Sequence, residues 1–187
     1  MKITKDTTLT EFFFYLDTFD VKEEWIDNLF KRLEKYPVPE LFNTSFNDLK
    51  FRQLIDLQLK IKKFEDMIFV AFDVVHDLKK EDIIGLSAFD CLRFALFTKS
   101  ELERITKLFK AIEYKPSAEE ERAGIGNLSH GFFGTIDWYA RRMNIPNHDE
   151  VAELNWTIIY KCQKIDFDNN RFEKRYRDVV SKQNKVK

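Results

Sequence analysis

The chain has 187 residues, of which 44% are hydrophobic and 34% charged, with five Gly, four Pro and a formal charge of −1. That length can bury a real core in one domain or two small lobes. The near-neutral balance argues against a polyanion-binding surface overall, and the shortage of Gly and Pro argues against the many turns of an all-β fold. Nineteen Phe imply an interior built from large rings.

Helix signals recur in chain order. Thr8 followed by Glu11 predicts a capped first helix, and Asp20 with Glu23 a second, with Val21, Trp25, Leu29, Leu33 and Tyr36 at helical spacing. The prolines of "KYPVPELF" break the chain. From Ser45 a long helical region is expected to about Leu78, ending in the dense block "FEDMIFVAFDVVHDL", apolar around most of its circumference and so central. "KKEDIIG" reads as a boundary between lobes 1–80 and 86–187 of a single 1–187 domain. Beyond it Ser87 caps a helix, Ser100 with Glu103 starts another through Tyr114, and Ser117 with Glu120 opens a third. Four of the five glycines fall within Gly124–Gly134, where they suit a tight helix crossing or a joint. Without a following Gly-Lys-Ser/Thr or a preceding strand, the cluster is neither a P-loop nor a dinucleotide fingerprint. No alternating run supports a sheet. The expectation is all-α: an irregular bundle of about nine or ten short to medium helices.

The stretch "GTIDWYARRMNIPNHDEVAELNW" concentrates charge around two tryptophans. Phe132, Ile136, Tyr139, Ala140 and Met143 share one helix face, Pro146 stops that helix, and Asn147 with Glu150 caps a second one running through Val151, Leu154, Ile158 and Cys162. His148, Asp149 and Glu150 are consecutive, point about 100° apart on a helix, and cannot hold one ion together. They suit the positive end of the helix dipole instead. A DNA-reading helix-turn-helix is disfavoured, because the second helix would aim carboxylates at phosphates.

Other chemistry is thin. Asp73, His76 and Asp77 lie at i, i+3 and i+4 and could hold a metal, although Asp66 and Lys80 extend the same polar stripe. Cys91 and Cys162 are too few for a disulfide framework or thiolate zinc site. The N-terminus lacks a signal-peptide pattern and the longest apolar run, Met67–Phe72, is far short of the ~20 residues that span a bilayer. A chain made for the reducing cytosol, with no membrane contact, is expected. From Tyr160 onward nine Lys+Arg face four Asp+Glu, a net of +5 against −6 for the remainder. There Phe172 and Tyr176, at i and i+4, are expected to dock a terminal helix on the body. Lys174, Arg175 and Arg177 beside them could meet a polyanion, and Lys182, Lys185 and Lys187 trail into a frayed end.

The runs "SAEEERAGIGNL", "GFFGTIDWYARRMNI", "HDEVAELNWTIIYKCQKI" and "FEKRYRDV", covering residues 117–176, resemble tail assembly chaperones and related small helical proteins of tailed bacteriophages and prophages. The resemblance implies a non-enzymatic helical protein, in a bacterial host cell, that holds an aggregation-prone phage structural or tail protein such as a tape-measure-like helical client. It implies no catalytic residue, cofactor or metal. An apolar inter-helix groove would suit that task, with Phe132, Ile136, Trp138, Tyr139, Trp156 and Ile159 as its lining; filling of the core by the same side chains is the competing expectation. Two further readings stay open: a nucleic-acid accessory protein acting through the basic terminal helix, binding weakly at most, and a helical metalloenzyme using Asp73, His76 and Asp77. A homo-oligomer is also compatible with the sequence.

Overall fold

The computed structural model describes residues 3–19, 23–128 and 130–184. The fold is all-α, 74% helical, with no strand among the described residues; Thr8 and Ser87 form an isolated bridge. The chain divides into two compact units, Met1–Arg104 and Ile105–Lys187. "KKEDIIG", expected as a lobe boundary, lies inside the first unit, where Lys80–Ile83 form a short helix.

The first unit contains α1 (Leu9–Thr18), α2 (Glu23–Leu33), 3-10 turns at Glu40–Phe42 and Phe46–Asp48, α3 (Phe51–Lys60), α4 (Phe64–His76), α5 (Lys80–Ile83) and the first part of α6 (Ala88–Ala111). Thr8 caps α1 as its spacing to Glu11 predicts. Glu11 N–H donates to Thr8 Oγ1 at 3.2 Å, and Thr8 N–H donates to Glu11 Oε2 at 2.8 Å. The start of α1 is pinned to the start of α6 by backbone bonds from Leu9 N–H to Leu86 C=O, 2.9 Å, and from Ala88 N–H to Thr7 C=O, 2.7 Å. The expected Asp20 cap lies outside the described residues.

The long region expected from Ser45 is two helices. After α3 the chain breaks at Ile61, and Asp66 Oδ2 accepts from the N–H groups of Lys62 and Lys63 at 3.0 and 3.1 Å. That carboxylate satisfies donors a new helix start would otherwise leave orphaned, so the break is stable without Gly or Pro. Gln53 Nε2 then donates to Val74 C=O at 2.8 Å and ties α3 to α4. α4 buries Ile68, Ala71 and Phe72, and its remaining apolar side chains are at most part-exposed, in keeping with a central helix. Around Phe72 stand Phe42, with centroids 4.8 Å apart and planes at 86°, and Phe94, 4.7 Å away. Such tilted pairs add roughly 0.5–1.5 kcal/mol beyond the area they bury.

α6 runs 24 residues without interruption. Ser100 was expected to start a new helix and does not, because the apolar stripe of Ala88, Cys91, Leu92 and Ala95 continues through Thr98 to Ile105 and keeps the helix packed. Glu101, one turn into that expected helix, instead pairs with Arg104 at 2.7 Å, and Arg104 also reaches Asn47 at 2.8 Å.

The second unit contains the end of α6, α7 (Ala118–Arg122), a 3-10 turn at Ile125–Asn127, α8 (Gly131–Met143), α9 (His148–Ala152) and α10 (Trp156–Asn184). Ser117 caps α7: Glu120 N–H donates to its Oγ at 3.3 Å, and Ser117 N–H donates to Glu120 at 2.7 Å. The glycine cluster makes turns. Gly124 and Gly131 have φ of +84° and +53°, where L side chains are strained, so they close α7 and open α8. Asn144, also left-handed with φ 54°, ends α8 before Pro146 is reached.

The helix expected to run from Asn147 through Cys162 is broken as well. Asn147 Oδ1 accepts from Asp149 N–H at 3.0 Å and caps α9, which ends after five residues. Asn155 then caps again, accepting from Thr157 N–H at 2.8 Å, and the 29-residue α10 begins. Among the described residues, no helix is long and apolar enough to cross a membrane.

Candidate functional site

The α8–α9 corner draws its charged side chains together in a way their spacing in sequence does not announce. Asp137 projects from α8 between two basic side chains. His148, the first residue of α9, places Nε2 3.2 Å from Asp137 Oδ1, and Arg141, one turn along α8, places Nη2 2.9 Å from Oδ2. Both carboxylate oxygens are occupied. The His148 hydrogen bond, followed by Arg141, holds Asp137 below the usual carboxylate range against the opposing effect of burial. His148 is therefore more than the first-turn residue read from sequence: it latches α9 onto α8, and its ring also lies 5.2 Å from that of Phe133. One turn beyond Trp138, Arg142 pairs through both carboxylate oxygens with Asp166 of α10 while its guanidinium stands over the Trp138 ring at 5.7 Å. These pairs consume the corner's polar groups in holding α8, α9 and α10 together.

The six side chains expected to line a groove separate into two sets. Tyr139, Trp156 and Ile159 are buried. Trp156 is closed over by Phe109 and Tyr160, with centroids at 6.0 and 6.2 Å, so these three belong to the core. Phe132, Ile136 and Trp138 remain half-buried. Beside them Phe133 and Met143, which the sequence reading did not single out for binding, are 60% and 50% exposed. Helical spacing alone could not separate the sets, because Phe132, Ile136, Tyr139 and Met143 lie on one line along α8 and only the packing of α9 and α10 over its middle distinguishes them.

Asp73, His76 and Asp77 do not converge. Asp73 pairs with Lys79, Asp77 is the left-handed cap of α4 and faces solvent, and His76 turns into the aromatic cluster 4.9 Å from Phe94. His76 Nε2 is buried without a hydrogen-bond partner, and burial pushes the imidazole pKa down. No group of three or more metal-ligating side chains occurs among the described residues. A surface hollow of about 70 Å³ lies beside Ile3, Trp25, Asn28, Leu29 and Arg32; small-molecule pockets are usually ~300–1,000 Å³. Cys91 is buried and its thiol pushed up to about 12 by desolvation, which leaves it unreactive as a nucleophile.

The basic end of α10 departs most from expectation. Phe172 and Tyr176 do not dock on the body. Both face solvent, stacked on each other with centroids 6.3 Å apart and planes at 18°. Lys174, Arg175 and Arg177 are exposed around them; Arg177 pairs with Glu173 at 3.0 Å, and the Glu120 carboxyl of α7 is held down by the Ser117 N–H and the Tyr114 hydroxyl, with a lesser contribution from the Lys174 charge. Lys185 and Lys187 lie outside the described residues.

Compared with known proteins, the chain matches no family model, no curated protein and no solved structure.

Proposed function

We propose that this chain is a non-enzymatic binding protein of the phage or prophage assembly type, which holds a helical segment of a tape-measure-like tail protein against α8. The observation that carries the reading is the open part of the α8 surface. Phe132 and Ile136 are half-buried, Phe133 and Met143 largely exposed on the same side of the helix, and Asp137 with Arg141 and His148 ties that helix to α9. An amphipathic helix docks on such a surface through apolar anchors at i, i+3, i+4 and i+7. Tyr139, Trp156 and Ile159 belong to the core and make no contact with the client. The resemblance of residues 117–176 to tail assembly chaperones supports the same class of client, met in the bacterial cytoplasm.

The test is co-purification with the tape-measure protein from a host producing the phage. Phe133→Ser with Met143→Ser should abolish recovery while the helical spectrum is unchanged, and undiminished recovery would remove α8 as the docking face.

A second reading has its own support. The stacked Phe172–Tyr176 pair, with Lys174, Arg175 and Arg177 around it, combines aromatic platforms with positive charge, the combination by which single-stranded nucleic acid is held without regard to sequence. Binding of this kind weakens steeply with salt as condensed counterions are released, so titration of short DNA and RNA at two salt concentrations tests it.

A further inference from the structure

We draw no further inference here: the strongest candidate, the exposed apolar line of Ile158, Ile165, Phe172 and Val179 along α10, carries nothing because nothing in the structure shows what covers it.

Discussion

The first unit closes its interior with rings from separate elements, Phe42, Phe72 and Phe94 among them, and buries apolar side chains on α1 through α6. The second unit buries Ile105, Tyr139, Ala140, Val151, Ala152, Trp156 and Ile159, and beyond these its helices are tied by the Arg142–Asp166 ion pair and the His148–Asp137 hydrogen bond. Among the described residues nine of its large apolar side chains are exposed, Phe133, Met143, Ile165, Phe172 and Tyr176 among them, against five in the first unit, Phe14, Phe19, Tyr36, Leu41 and Leu59. A unit that withholds this many large side chains from its own core, while spending polar groups on alignment, is organised to present surface. The first unit is organised to persist.

The sharpest way to break that contrast is to remove the main ring of each core. Trp156→Ala should cost about 3–5 kcal/mol and Phe72→Ala a similar amount. Because the second unit has few other buried groups, Trp156→Ala should strip amide-exchange protection from α8, α9 and α10 while Phe72 and Phe94 stay protected. Equal loss in both units would show that they do not differ in reserve.

His76 sharpens the comparison through pH. Its folded pKa lies below the ordinary 6.5, so the unfolded chain binds a proton the folded one refuses. Stability should be fully present above about pH 6.5 and fall as pH drops from there toward the folded pKa, with a slope of at most about 1.4 kcal/mol per pH unit. His76→Phe, which suits the aromatic surroundings, should remove this dependence. Denaturant titrations between pH 7.5 and 4.5 with the same slope in both proteins would place the effect elsewhere.

Smaller effects follow from caps and hydroxyls. Asn155→Ala should lower stability by about 1 kcal/mol through loss of the α10 cap. Thr98→Val should raise it by about 0.5–1 kcal/mol, since the Thr98 hydroxyl is buried without a partner in the first unit. Thermal melts of the two variants, shifting in opposite directions, check both. Least of all, Phe172→Ser should change the stability of dilute, monomeric protein by less than about 0.5 kcal/mol, because the ring is 61% exposed.

What could be read from residues was what depends on neighbours in the chain. The all-helical class, the Thr8 and Ser117 boxes, the Asn147 cap and the one-sided apolar line of α8 are local patterns, and local geometry honours them. Ser100 fails because tertiary packing overrode a valid local signal: the stripe from Ala88 to Ile105 keeps α6 continuous. The breaks at Ile61 and Asn155 lacked the usual Gly or Pro, and were made by Asp66 and Asn155 accepting from backbone N–H groups. The pairing of Asp137 with His148 joins residues eleven apart across a turn, which no periodicity encodes. The tail was misjudged because i, i+4 spacing says that Phe172 and Tyr176 share a face, and says nothing of what that face meets.

The three tryptophans differ in exposure: Trp25 and Trp138 are part-exposed and Trp156 alone is sealed, which gives the interior of the second unit its own optical reporter. Trp25 lies part-exposed on α2 in the first unit, whereas Trp156 is sealed from water between Phe109 and Tyr160 in the second. Trp156 should therefore emit at the shorter wavelength, receive excitation from Tyr160 at close range, and resist collisional quenchers that reach Trp25. A red shift of the quencher-resistant emission then times the opening of the second unit, with no label introduced.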